Sequence, residues 1–142
     1  MPAAHDPIHE IIRAYRAAIL AKDVEGFVDL YAPHVRVFDT WSVWSYEGRP
    51  AWREMVRRWF DSLGDERVGV DLSDLQIAVA TESAVVTAIV TYSGLSSEGE
   101  VLRSMQNRVT WVLTREGARW RIVHEHTSAP VGFDDGKVIL QR

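Results

Sequence analysis

The chain of 142 residues contains no cysteine, which excludes a disulfide framework, a thiolate nucleophile and any zinc site with cysteine ligands. No apolar run approaches the ~20 residues that a bilayer-spanning helix needs. The N-terminal stretch MPAAHDPIHE has no basic end followed by an apolar core, so no secretory leader is expected. Phosphate-cradling glycine loops, zinc-protease helices and nucleophile elbows are also missing. Positive charge is in short supply: 16 Lys and Arg stand against 20 Asp and Glu, a net charge of −4, the wrong sign for a phosphate-backbone binder. Arg53, Arg57 and Arg58 do cluster, but Glu54 and Asp61 beside them make that face mixed and solvated. These absences lead us to expect a cytoplasmic protein with no nucleic-acid or membrane partner, no metal and no cofactor.

What remains is a globular composition, 46% hydrophobic and 25% charged, on a chain of a length that suits one domain over residues 1–142. Tryptophan is abundant: six residues, at 41, 44, 52, 59, 111 and 120, four of them between 41 and 59. Large rigid aromatics line apolar cavities as readily as they fill cores.

The first half reads as helices. Over residues 6–22, Ile8, Ile11, Ile12, Tyr15, Ile19 and Leu20 recur at helical spacing, with Asp6 as N-cap and Pro7 at the first helical position. Asp23 caps a second short helix that turns Val24, Phe27, Val28 and Tyr31 inward and cannot pass Pro33. A short strand spans Val35 to Asp39, residues 40–48 form a loop, and a third helix runs from Pro50 to Leu63 with Gly64 at its end. From Val68 the period switches to alternation, giving strands at about 68–80, 84–94, 100–115 and 119–130. The breaks TES, SSEG and REGA are short, so the strands pair as antiparallel neighbours. Helices followed by a long meander imply an α+β fold in which a cone-like curved antiparallel sheet packs on three N-terminal helices and encloses an interior.

Strand parity then selects candidate site residues. In WRIVHEHTS, the side chains of Trp120, Ile122, His124, His126 and Ser128 share one face, while Arg121, Val123, Glu125 and Thr127 share the other. The first face is expected inside. His124 and His126 with Asp39 have the chemistry of a zinc or iron site, although the pair also reads as satisfied interior histidines, and no metal is expected. Tyr15 lies on the inner stripe of the first helix, and Asp39 has the parity of Val35 and Val37. An apolar cavity raises a carboxylate's proton affinity toward a usable base, and a phenol can donate to a developing oxyanion. The plainer alternative is that Asp39 caps the loop TWS and Tyr15 is ordinary core. Arg108 and Thr110 share one face of RSMQNRVTWVL; inward, Arg108 would hold an anion, and outward it is a solvated strand arginine.

The stretches IIRAYRAAILAKDVEGFVDLYAPHVRVFD, YEGRPAWREMV and RVTWVLTREGARWRIVHEHTSAP resemble the SnoaL-like, ketosteroid isomerase-like branch of the nuclear transport factor 2-like superfamily, over nearly the whole chain. The resemblance implies a cystatin-like cone closed by three helices around a pocket, usually dimeric through the sheet. The ending WRIVHEHTS also looks like the association domain of calcium/calmodulin-dependent kinases, which assembles subunits without catalysis. In ketosteroid isomerase a tyrosine and a protonated aspartate form the oxyanion hole and a second aspartate is the base; Tyr15 looks like that tyrosine and Asp39 like the base. No Asp or Glu lies between Arg103 and Arg115, where the second acid would sit; Gln106, Asn107, Arg108 and Thr110 occupy that region.

Together these features point to a small-molecule pocket protein acting as a general acid/base isomerase, cyclase or hydro-lyase on a small apolar carbonyl or polyketide-like compound. Asp39, Tyr15, His124 and His126 are the expected catalytic groups, and Trp41, Trp44, Trp59, Arg108, Thr110, Trp111 and Ser128 the expected substrate contacts. A non-catalytic ligand-binding or dimerisation module of the same fold is the alternative. A homodimer is expected for either, because Val101, Val112 and Val123 would otherwise expose an apolar outer face.

Overall fold

Asp6 begins the first helix, α1 (Pro7–Ala21), by accepting hydrogen bonds from the backbone N–H of Ile8 at 2.9 Å and of His9 at 3.5 Å, and Lys22 ends it in the left-handed region at φ 54°. These observations come from a computed structural model that describes residues 6–142. Residues 1–5, where the reading of the N-terminus as leaderless begins, lie outside the described residues. A short α2 (Val24–Val28) follows, capped by Asp23 through the Gly26 N–H. The third helix, α3 (Arg49–Ser62), has Pro50 in its first turn and starts from Gly48 at φ 87°, a conformation open to glycine without strain. Among the described residues no helix is long and apolar enough to cross a membrane.

The strands are β1 (Tyr31–Phe38), β2 (Tyr46–Glu47), β3 (Arg67–Val79), β4 (Ser83–Leu95), β5 (Val101–Glu116) and β6 (Arg119–Ser128). They form one curved sheet in the order β2-β1-β6-β5-β4-β3. The meander β3 to β6 is antiparallel throughout, as the short turns require. The strand before it is longer than its β-branched stretch suggests: β1 starts at Tyr31, passes through Pro33 and joins β6 in parallel, with a register shift between Tyr31 and Arg36. Pro33 has no N–H to give to a ladder, and the irregular stretch is where its presence costs least. Arg49 ties this strand to α3 by donating Nε–H to the Tyr31 carbonyl at 3.1 Å.

Helices and sheet close over one apolar core. Tyr15, Phe27, Tyr31, Trp52, Phe60 and Trp111 are all buried in it. Their rings interlock, with centroids 5.0 Å apart for Tyr15 and Trp111 and 5.2 Å for Phe27 and Tyr31. Tilted and edge-on contacts at such spacings add to the burial of apolar area.

One irregularity governs the face presented by β6. Val112 of β5 is opposite His124, but the next residue, Leu113, is opposite Ile122, so Val123 is an extra residue in the ladder. Beyond this bulge, parity is reversed relative to uninterrupted alternation. Ile122, Glu125 and Thr127 are buried, while His126 is exposed and His124 half-buried.

This register makes a prediction that uninterrupted alternation reverses. Glu125→Lys, placing an unpaired cation in the core, is expected to cost more than about 3 kcal/mol or to abolish folding. His124→Lys and His126→Lys should each cost less than about 1 kcal/mol. Urea denaturation of the three variants checks this, and a mild Glu125→Lys would contradict the bulge.

Candidate functional site

The residues expected at the site divide between the two faces of the sheet. Tyr15 projects from α1 into the core, and its hydroxyl lies 3.2 Å from that of Tyr92 on β4. Asp39 follows β1 and keeps the parity of the buried Val35 and Val37; it is partly buried, and its Oδ1 accepts the Thr127 hydroxyl at 3.1 Å. Trp111 is fully buried, and Trp59 packs half-buried on α3 with its ring 6.5 Å from that of Tyr92.

The remaining expectations are corrected by the geometry. His124, His126 and Ser128 turn to the outer face because of the Val123 bulge. His124 Nδ1 donates to the Arg36 carbonyl at 2.7 Å, and both imidazoles stand edge-on to Phe38 at 4.9 and 5.4 Å. Arg108 and Thr110 share that outer face, opposite Ser128 and His126 respectively, and Arg108 Nε–H donates to Ser128 Oγ at 3.1 Å. The outward alternative for Arg108 therefore holds. Trp41 and Trp44 do not wall an interior: they are exposed in the loop after β1, Trp44 to 94%. No group of three or more His, Cys, Asp or Glu that could hold a metal ion occurs among the described residues.

The hollow centre expected of the cone is also revised, since the interlocked rings of Tyr15, Phe27, Tyr31, Trp52 and Trp111 occupy it. Two open concavities lie elsewhere on the surface. One, of about 390 Å³, is between α1 and the start of β3, lined by Arg13, Arg16, Leu20 and Val70; the other, of about 270 Å³, lies beside α2 and Arg49. Where the core meets solvent, Asp39, Tyr46, Met55, Trp59 and Tyr92 are each only partly buried.

The bulge delivers an acid that parity reasoning had turned outward. Glu125 is 2% exposed. Its Oε1 accepts the Tyr31 hydroxyl at 2.5 Å and the Trp111 Nε1–H at 2.9 Å. Burial raises its pKa to about 7 and the nearby Asp39 charge adds to the rise, while the two donors oppose it. Since both donors converge on Oε1, the proton of the neutral acid belongs on Oε2. Asp39 is shifted upward too, again mainly by burial, with the Thr127 hydroxyl and the backbone N–H groups of Thr40 and Trp41 pulling the other way. Burial keeps the Tyr15 and Tyr92 phenols protonated well above neutrality. The site thus holds two carboxyls of different burial and a pair of neutral hydroxyl donors, the equipment of proton transfer beside a carbonyl.

Three groups escaped parity reasoning: Glu125, Thr127 and Asn107. Ile122 and Val123 are adjacent apolar residues in an otherwise alternating strand, and that break was the available signal for the bulge. Thr127, also turned inward by the bulge, links Asp39 to Thr40, whose backbone N–H and hydroxyl both donate to Thr127 Oγ1 at 2.9 Å. Asn107, buried on β5, donates Nδ2–H to Thr40 Oγ1 at 3.3 Å.

No curated protein matches the chain. Among solved structures it is similar to a nuclear transport factor 2-like protein of unknown function from Pseudomonas putida, at 21% identity over 99% of this chain and 96% of that one, with a TM-score of 0.84. It is also similar to Aln2 from a Streptomyces species, at 13% identity over 90% and 91% of the two chains with a TM-score of 0.77. A nuclear transport factor 2-like protein with a cystatin-like fold from Novosphingobium aromaticivorans is 16% identical over 93% and 85%, with a TM-score of 0.75. At these identities the likeness bears on the fold alone. The sequence match of the SnoaL-like domain covers residues 8–132, and the chain belongs to the SnoaL-like family.

Proposed function

We propose that this protein is a general acid/base enzyme of the isomerase, cyclase or hydro-lyase type, acting in the cytoplasm on a small, largely apolar carbonyl compound. Asp39, the more exposed carboxylate, removes a proton from the carbon next to the carbonyl. In the Tyr15 and Tyr92 pair one hydroxyl donates to the other, and the proton left free donates to the oxygen on which negative charge develops. Glu125 supplies a proton from Oε2 and is restored by the proton that Asp39 took up. The observation that carries this reading is Glu125, a carboxyl buried in the aromatic core with Tyr31 and Trp111 both donating to one of its oxygens, because burial raises its pKa to about 7 and so suits it to proton transfer. The filled core favours a second reading, a non-catalytic binding or dimerisation module of the same fold. In either case we propose a homodimer through the outer sheet face, where Val85 is exposed and Ile89 and Val112 are half-buried. Sedimentation velocity is expected to show a dimer; a monomer would remove that part.

Deuterium exchange at the α-carbon of 2-tetralone, followed by NMR, separates the two readings. Catalysed exchange is expected, with Asp39→Asn slowing it by about 10² or more and Glu125→Gln by about tenfold or more. Binding without exchange would leave the non-catalytic module.

Stability should report the same acid. Because folding raises the Glu125 pKa from an ordinary 4.5 to about 7, the native state holds the proton more tightly than the unfolded chain. Its contribution is complete below pH 4.5 and is lost as pH rises through about 7, a change on the order of 3 kcal/mol. Glu125→Gln keeps an oxygen acceptor for Tyr31 and Trp111, and should therefore gain on the wild type by that amount across the same window. Chemical denaturation at pH 4.5, 6 and 8 measures the difference, and a constant gap would rule out the raised pKa.

A further inference from the structure

The segment after β6 turns back on itself over residues 130–139. Val131 and Val138 form an antiparallel bridge, the Gly132 N–H donates to the Lys137 carbonyl at 2.7 Å, and the Ile139 N–H donates to the Pro130 carbonyl at 2.8 Å. Gly136, at φ 68°, lets the tip close with its N–H on the Gly132 carbonyl at 2.9 Å. The base is fastened to the sheet where the Gln106 N–H of β5 donates to the Leu140 carbonyl at 2.7 Å. The turn is therefore fixed, yet Phe133 at its tip is fully exposed, and Val131 and Val138 are exposed beside it. A single apolar side chain on a surface is ordinary, but three together on a fixed turn form a contact surface.

A feature of complementary chemistry lies on the same molecule. The concavity of about 390 Å³ between α1 and β3 is lined by the apolar Ala17, Leu20, Val70 and Leu95, with Arg13 and Arg16 beside them. Gly69 keeps it open, because a Cβ there would come within 3.3 Å of Leu95 Cδ1. Arg16 is committed: its Nε–H donates to the Val70 carbonyl at 2.8 Å, and a terminal nitrogen lies 3.9 Å from Asp71. Arg13 takes part in no ion pair among the described residues, and neither does Asp134, which follows Phe133. Asp134, Asp135 and Lys137 leave the turn net negative, while Arg13, Arg16 and Asp71 leave the concavity net positive. An apolar knob with a spare anion thus matches an apolar hollow with a spare cation.

Going beyond the sheet-face dimer, we propose that the concavity between α1 and β3 is a docking site for a second copy of this chain, with Phe133 of one copy seated in it and Asp134 of that copy against Arg13 of the other. The two patches differ, so the contact either closes reciprocally about a two-fold axis or runs head to tail. Because the turn is already held in shape, little ordering is lost on docking. One aromatic anchor and one solvent-exposed ion pair make a small contact, which joins dimers only when the protein is concentrated.

Sedimentation equilibrium of the full chain from about 20 µM to about 1 mM reads this contact separately from the sheet-face dimer, whose presence is decided at the dilute end. The mass of the wild type is expected to rise with concentration above that of the dilute species. Phe133→Ser, at a position with no buried surface to lose, should weaken this further association about tenfold or more. Arg13→Glu and Asp134→Arg should each weaken it about threefold or more, and the two combined in one chain should restore it, since the reversed charges again attract across the contact. That rescue cannot arise from a change within the fold of one copy alone. A wild type that gains no mass, a gain that survives Phe133→Ser, or a double variant no better than the single ones would overturn the docking site and leave the concavity to some other occupant.

Discussion

A single extra residue, Val123, decides which side chains of the last strand meet the core. Its effect is electrostatic as much as geometric. It carries one carboxyl inside and leaves two imidazoles outside, which is the costlier choice for the fold, since an ionised carboxylate loses several kcal/mol of hydration on burial. The interior meets this cost in two ways. Tyr31 and Trp111 both donate to the same oxygen of Glu125, and the group shifts toward its neutral form. Aromatic residues are suited to this role because each brings one polar hydrogen on a large apolar body. The core is therefore continuous around an acid, without a cation to balance it.

Charge is separated across the sheet as a result. None of the ion pairs formed by the described residues involves Asp39 or Glu125. Arginine is found on the other side, where Arg36 lies 4.8 Å over the ring of Phe38 and Arg108 reaches Ser128. Burial raises the proton affinity of both carboxyls, the Asp39 charge adds to the rise at Glu125, and no cation compensates, so the neutral form of the deeper acid is favoured.

Much of the architecture was legible in the sequence because it follows from local rules. Asp6 and Pro7 mark the start of α1, Pro50 the start of α3, and the change of period near Val68 marks the sheet. The parallel union of β1 with β6 was not legible, since it joins residues nearly ninety positions apart and no local pattern encodes a partner. The site was readable to the same extent. Tyr15 and Asp39 face inward because nothing interrupts the periodicity between them and the apolar residues that fix their faces. His124, His126 and Ser128 were assigned to the wrong side because a bulge changes parity without changing composition. Tryptophan misled in a different way: Trp52 and Trp111 are buried while Trp41 and Trp44 are exposed, and residue type alone does not distinguish a wall from a surface.

The union of an early strand with the last one has a consequence for biogenesis. Val35 and Val37 are fully buried in the finished sheet, but their strand has no parallel neighbour until β6 has been made. At ordinary rates of synthesis the ribosome needs roughly 5 to 20 seconds to travel that distance. Throughout this interval the nascent segment exposes an apolar edge that only its own far end can cover. Slow codons within that span would lengthen the exposure of that edge, while leaving the thermodynamics of the mature protein untouched.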